Sequence, residues 1–371
     1  MESELSLEAS KDIEPSGKKN IDIICTLGTT TDNPKILEDM IKYGMNCARL
    51  NTAYATIEDY DARIDLVREA GAKMGKHIDI MMDIKGPQVR LVSDCDYPID
   101  EDAVLKVGFG KEPIHFNKDF YGDIIVGDII CMENGTIQTM VSAKNDEKKL
   151  VDLVVMEIGE GKIHKCMGVN VPGKHLNIPV VSRKDVKIIE YSVAKGVEYI
   201  ALSFARSYKD IEALRGAINY YSKIRNIPSE KKPGIIIKPE EQLGIANLED
   251  MIEAAKKDGF ELRVMIPRGD LYVEMPYYDL PFIQEKMIQV CKEKGTYVMT
   301  ATGILESMQY NNMPTRAEVC DVYNALRAGT DGLMLSGETS NCKENGRADR
   351  TVKVLSEIIG NYQRHTPATL R

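Results

Sequence analysis

Residues 234–270 read GIIIKPEEQLGIANLEDMIEAAKKDGFELRVMIPRGD, and the fold is decided there. A short apolar run from Gly234 ends in Lys238 and Glu240. A helical segment follows, with Asn247 as its expected cap and Glu249 and Asp250 in its first turn. A second apolar run from Leu262 then ends in Arg268 and Asp270. Continuous apolar runs without alternation suit strands buried on both faces, as in a parallel sheet. The unit is strand, helix, strand, with charged residues at the strand ends.

The same unit recurs outward in both directions. Further runs begin at Ile21 (IDIICTLG), Asn46 (NCARLN), His77 (HIDIMMDI), Val197 (VEYIALSF), Tyr297 (YVMTATG) and Asp331 (DGLMLSG). Amphipathic segments lie between them. PKILEDMIKYG has Pro34 at its first position and Gly44 as a stop; RAEVCDVYNALRAG ends at Gly329, and RTVKVLSEIIGNYQ follows the last run. Eight strands alternating with eight helices predict an α/β chain folded as a (β/α)8 TIM barrel. The interval from His77 to Val197 is far longer than the rest, so a separate domain is expected after strand three. Its runs DIIVGDIICM and KKLVDLVVMEI, with turns at Asn134-Gly135 and Gly159-Glu160-Gly161, predict an all-β barrel. The expected organisation is a polar, disordered tail over 1–18, a barrel from 19–87 and 173–371, and the inserted β-barrel over 88–172.

Composition narrows the function. The net charge of −9 argues against nucleic-acid binding, which needs a positive surface. No apolar run reaches the ~18 residues of a membrane span, and the polar start lacks a signal peptide; a cytoplasmic protein without membrane partners is expected. The eight cysteines are scattered without a CxxC pair, and are expected to be reduced, with five in the core. The five histidines are dispersed in sequence, so no histidine-centred metal site is expected. Neither a Walker loop nor a Rossmann fingerprint occurs, and Gly28 and Gly86-Pro87 read as chain turns.

In such a barrel, active sites lie where the strands end. Those ends carry Arg49 and Asn51, Asp83 and Lys85, Ser203 and Arg206, Lys238 and Glu240, Arg268 and Asp270, Thr300 and Thr302, and Ser336 with Glu338 beyond. Alternate strand residues share a face, so Lys238 should project with Glu240, and Arg268 with Asp270. Two carboxylates from adjoining strands suit a hard cation such as Mg²⁺. Lys238 suits a phosphate or an enolate oxygen; Arg49, Arg90 and Arg206 suit phosphate or carboxylate. The competing reading is a set of ordinary barrel ion pairs.

At these motifs the sequence resembles pyruvate kinases. The match runs from Ile21 to Glu357 through CTLGTTTDNPKILEDMIKYGMNCARLN, MMDIKGPQVR, MGVNVPGKHLNIPVVSRKD, IIIKPEEQLGIANLEDM, PRGDLYVEM, TATGILESM, PTRAEVCDV and GTDGLMLSGET. The resemblance implies phosphoryl transfer from phosphoenolpyruvate to ADP, giving pyruvate and ATP in glycolysis, with the insert as a mobile lid. It implies that Glu240 and Asp270 hold Mg²⁺ or Mn²⁺, and that Lys238 neutralises the transferring phosphoryl group and the enolate. Arg49 would bind the phosphate, and Gly269, Asp270 and Thr302 the carboxylate. Thr302, with Glu338 through water, would serve enolate protonation. Arg90 would meet the nucleotide phosphates, and Asn51 and Asp83 the monovalent cation, K⁺. A homo-oligomer through the barrel is expected as well. Where the family has serine, histidine, glutamate, lysine, isoleucine and glutamine, this chain has Ala53, Tyr54, Gln88, Met167, Pro239 and Gly303. These departures remove a potassium ligand and a nucleotide-binding lysine. The family's third, regulatory domain has no counterpart before Arg371, so allostery through it is not expected. Two other readings remain open: a catalytically degenerate relative with a binding role, and a metal-dependent pyruvate or enolate enzyme such as an aldolase.

Overall fold

The computed structural model describes residues 20–53, 55–110, 112–343 and 347–366. The tail expected over 1–18, and Tyr54, lie outside the described residues. Each of the eight runs forms a strand: Asp22–Thr26, Met45–Asn51, Asp79–Ile84, Tyr199–Leu202, Gly234–Ile237, Leu262–Pro267, Tyr297–Ala301 and Gly332–Leu335. They pair in parallel and in sequence order, and the last closes on the first through Ile24 opposite Met334. Every strand contributes to one interior layer: Ile24, Cys47, Met81, Ala201, Ile236, Met265, Met299 and Met334. The residues between them face outward onto the helices, as Ile23, Cys25, Ile80, Met82, Ile235 and Ile237 do. Burial on both faces is why the runs are apolar throughout. Four methionines suit the interior, since their flexible side chains fill irregular space.

Local chemistry sets the helix ends. Asn33 caps the helix Pro34–Lys42 by accepting from the Lys35 and Ile36 amides at 2.9 and 3.4 Å. Gly329, at φ +102°, ends Arg316–Ala328 in a left-handed turn that favours glycine. Asn247 behaves differently from its expected role. It precedes Leu248–Lys257, but its side chain makes no cap and donates to the Arg206 carbonyl at 2.9 Å. Gly28 is extended rather than a left-handed turn; a Cβ there would lie 2.3 Å from the Ser340 carbonyl oxygen. Close approach of the chain excludes larger residues.

Between Ile84 and Arg183 the chain builds a second closed barrel of seven strands, the outermost in sequence being Val89–Ser93 and Cys166–Asn170. Phe116, Phe120, Leu91, Ile130, Val141 and Leu153 fill it. Only the second half of DIIVGDIICM is strand, Ile129–Met132. Ile125 and Val126 lie in the preceding turn and are exposed. Glu133, Asn134 and Gly135 all have positive φ in the expected turn.

Of the cysteines, Cys25, Cys47, Cys131 and Cys291 are buried, Cys342 is half-buried and three are exposed; all are free thiols. Among the described residues, no helix is long and apolar enough to cross a membrane.

Candidate active site

Where the strands end, a cleft of about 120 Å³ opens. At its floor lies Lys238, whose Nζ is 3.1 Å from Asp83 Oδ1, 3.0 Å from Glu240 Oε1 and 2.9 Å from Ser203 Oγ. Arg49 takes the other oxygen of Asp83, with Nε at 2.8 Å and Nη2 at 2.7 Å, and its Nη1 donates to Thr26 Oγ1 at 2.9 Å. Glu240 Oε2 accepts the Phe204 amide at 2.7 Å. Phe204 holds φ +53°, an uncommon conformation for a bulky residue, and that turn aims the amide inward. Asp270 completes the wall, beside Glu240.

The electrostatics follow from burial and neighbours. Burial alone would raise the Asp83 carboxyl, but Lys238 and Arg49 hold it below the usual range. Burial would lower Lys238, yet Asp83 and Glu240 raise it above an ordinary lysine. Burial pushes Glu240 up to about 8 despite Lys238, and Asp270 adds to the rise. Desolvation likewise raises Asp270. Two adjoining carboxyls whose ionisation burial opposes are suited to a divalent cation that neutralises them.

The strand-face argument holds for one pair and fails for the other. Lys238 and Glu240 do face the cleft together, although the strand ends at Ile237. The Lys238 amide still donates to Leu202 O at 3.0 Å, so Pro239 falls just outside the ladder and costs it no bond. Arg268 and Asp270 do not project together. The strand ends at Pro267 and Arg268–Glu274 is helical, so the two side chains diverge. Arg268 turns away to Asp321, Nη1 to Oδ2 at 2.8 Å, and to the Thr302 carbonyl, Nη2 to O at 2.7 Å. Arg206 is no phosphate fork either: its Nη1 and Nη2 donate to the Leu176 and Ile178 carbonyls at 2.7 and 2.9 Å.

Thr302 sits beside Gly269, where a Cβ would come within 3.1 Å of Thr302 Cγ2. It holds φ +76°, a strained state for a β-branched residue of the kind concentrated at functional sites. Glu338 is buried outside the cleft lining. Its Oε1 accepts the Ile304 amide at 3.1 Å and its Oε2 the Ser336 amide at 2.6 Å, which fixes the loop carrying Thr302. Asn51 lines the cleft, but its Oδ1 accepts the Ala53 amide at 3.1 Å.

At the mouth, Arg90 and the half-buried Lys85 reach the same cleft. Desolvation and the charge of Arg90 lower Lys85, and Lys184 and Lys118 add to the effect. Met167 is buried in the second barrel and accepts the His164 amide at 3.2 Å through sulfur. Sequence reasoning gave no role to Ser203, Phe204 or Asn170, which contact Lys238, Glu240 and Glu274. A serine, a phenylalanine and an asparagine carry no chemical signature until the fold aims them.

The family profile described as Pyruvate kinase, barrel domain, matches residues 18–345. A pyruvate kinase of Sporosarcina psychrophila is 34% identical over 328 residues, covering 86% of this chain and 53% of its own. One of Bacillus licheniformis is 35% identical over 331 residues, covering 86% and 53%. The chain thus spans about half the length of the curated relatives it matches. The crystal structure of a pyruvate kinase from Cryptosporidium parvum superposes with a TM-score of 0.84 at 29% identity, covering 94% of this chain and 70% of that one. Relatedness along nearly the whole chain, on the two-barrel fold seen here, makes this protein a member of the pyruvate kinase family.

Proposed function

We propose that the protein transfers the phosphoryl group of phosphoenolpyruvate to ADP, giving pyruvate and ATP, as a cytoplasmic glycolytic enzyme. The observation that carries this reading is the buried cluster of Lys238, Asp83, Arg49 and Glu240 beside Asp270 in one cleft. In the transfer, the bond between phosphorus and the enol oxygen breaks and a bond from phosphorus to a β-phosphate oxygen of ADP forms. The enolate left behind then takes a proton at its methylene carbon. Such transfer depends mainly on positioning and charge stabilisation.

Arg49 and Lys238 meet the phosphoryl oxygens, and Lys238 also faces the charge that grows on the enol oxygen. Asp83 fixes both cations in place. The backbone at Gly269 and Asp270, with the Thr302 hydroxyl, takes the carboxylate. Thr302 orients the water that protonates the enolate, and Glu338 positions Thr302 by holding its loop. Arg90 and Lys85 meet the nucleotide phosphates, in place of a cation at Met167. Glu240 and Asp270 hold Mg²⁺ or Mn²⁺, which when bound supplies further neutralisation of the phosphoryl and enolate charge. K⁺ would have to share Asn51 and Asp83 with the Ala53 amide and with Arg49 and Lys238, and Ala53 offers it no hydroxyl. Turnover is therefore expected without K⁺. Self-association through the barrel belongs to the same proposal, supported by the exposed Tyr277, Tyr278 and Phe282.

The test is pyruvate formation from phosphoenolpyruvate by the purified protein, with and without ADP, with Mg²⁺ or Mn²⁺, and with K⁺ exchanged for Na⁺. ADP-dependent turnover that changes less than about twofold with K⁺ is expected. Turnover without ADP would favour the aldolase-like reading. Metal-dependent substrate binding without turnover would favour a degenerate relative, which the alanine at 53 and methionine at 167 would then explain.

A further inference from the structure

At the opposite end of the large barrel, where strands begin, three side chains meet. His77 lies just ahead of the strand Asp79–Ile84, Asp79 opens it, and Glu198 immediately precedes the neighbouring strand Tyr199–Leu202. His77 Nε2 is 3.3 Å from Asp79 Oδ1 and 3.2 Å from Glu198 Oε1. The three donor atoms lie within 4.8 Å of one another. We propose that this trio binds a borderline divalent transition metal of the Zn²⁺ class, at a structural site apart from the catalytic cleft.

One imidazole nitrogen and two carboxylate oxygens are a donor set for such metals. The two separations from His77 agree. Bonds of ~2.0–2.1 Å in a tetrahedral site leave neighbouring donors roughly 3.3–3.4 Å apart. A well-formed N–H···O bond would be nearer ~2.9 Å, and one Nε2 cannot aim a single proton at both carboxylates. A metal satisfies both at once.

The charge balance points the same way. Asp79 and Glu198 come from adjacent strands and are held side by side. Among the described residues, no lysine or arginine stands within ion-pair distance of either. The nearby Arg263 is stacked between the Tyr199 and Tyr297 rings, at 4.4 and 4.5 Å from their centroids. Asp22 is occupied by Asn46 and the Tyr297 hydroxyl. Arg263 acts on Asp79 only from a distance, and His77, in direct contact with both carboxylates, is 73% exposed. Glu198 is also oriented as a ligand: Oε2 accepts the Ile80 amide at 2.7 Å, leaving Oε1 to face His77. Fixing one oxygen so that the other faces a metal is how outer contacts support metal sites. The exposed side leaves room for water to complete the coordination. A metal here would tie together the two barrel strands that flank the inserted domain, and stabilise the folded state by mass action.

The test uses the full chain, stripped with EDTA and titrated with Co²⁺ and Zn²⁺, beside His77→Ala and Asp79→Asn. The wild type is expected to bind one more equivalent than either variant. It should show a visible Co²⁺ absorption that both variants lose, and a Zn²⁺-dependent rise in Tm that neither shows. Metal taken up by the catalytic carboxylates or exposed cysteines is common to all three proteins and cancels in the comparison. Equal stoichiometry and equal Tm shifts in wild type and both variants would overturn the site and leave an exposed ion-paired histidine only.

Discussion

Lys238 is the residue on which the cleft turns, because two buried carboxylates and a serine hydroxyl share its ammonium. Lys238→Met is expected to cut turnover by roughly 10²-fold or more, the scale of removing one charge stabiliser. It also leaves Asp83 and Glu240 without a shared cation, at a stability cost of about 3–5 kcal/mol for a broken buried pair. Both effects are measurable, as kcat and as Tm, and a folded variant losing less than threefold in rate would contradict the role. Glu240→Gln separates charge from packing. The amide oxygen can still accept from Phe204, and the carboxyl it replaces is held up to about 8 by burial. Burial thus works against the ionised form in the metal-free protein, with Lys238 opposing it. We expect Tm to change little while Mn²⁺ binding, read by electron paramagnetic resonance, is lost. The wild type should bind Mn²⁺ more tightly as pH rises from 6 to 8, then level off, since binding needs the ionised carboxylates. A pH-independent affinity would rule out Glu240 as a ligand.

Among the elements, the short helix Arg268–Glu274 joins chemistry to the inserted barrel. Asp270 faces the cleft near its start, and Glu274 at its end accepts the Asn170 amide at 2.8 Å. Burial pushes Glu274 up to about 7 from an ordinary 4.5, despite the Asn170 hydrogen bond and with help from Glu241 and Asp270. A carboxyl whose folded pKa is raised binds its proton better in the fold. Its ionisation therefore costs stability as pH climbs from 4.5 to about 7, and no more above that. Glu274→Gln removes the titration and keeps an oxygen for Asn170. It should raise stability at pH 8, by on the order of 3 kcal/mol at most, and leave it nearly unchanged at pH 4.5. An equal Tm difference at both pH values would show that Glu274 does not titrate in this range. This helix also marks where sequence reading ran out. All eight strands were legible because burial on both faces leaves continuous apolar runs, and the inserted barrel because its turns are written in Asn-Gly and Gly pairs. The cleft's charged residues were legible because they stand at strand ends. The divergence of Arg268 from Asp270 was hidden: a helix begins at the residue after Pro267, and the period changes from two to 3.6 without a local signal. The trio at His77 was equally hidden, since only strand adjacency brings Glu198 to residues so distant in sequence.

At the scale of the whole molecule, the question is what sets the second barrel over the first. The chain returns to the large barrel through residues 171–182, a stretch without strand or helix, so its carbonyls must find partners elsewhere. Arg206 supplies them: it is buried and donates to Leu176 O and Ile178 O from the loop just after the strand Tyr199–Leu202. Its Nε also lies 3.5 Å from Asp210 and 3.8 Å from Glu241, next to the proposed metal ligand Glu240. The same side chain thus ties the return segment to the rim of the cleft, and Asn170 with Glu274 makes a second tie. Arg206→Met fills similar space without donors. It should leave the buried Ile178 carbonyl unpaired, at about 1–3 kcal/mol, reduce the Leu176 carbonyl to its one bond from the Ile178 amide, and leave Glu241 without its cation. The large barrel's core does not include these groups, so its strands should keep their slow hydrogen exchange, whereas amides across 171–180 should exchange faster. Substrate affinity should weaken more than kcat if the loosened segment lets the second barrel drift from the cleft. Unchanged exchange over 171–180 in a folded Arg206→Met protein would mean that the return segment is held by its apolar contacts, Leu176 and Ile178 among them, and that the arginine is incidental to the coupling of the two barrels.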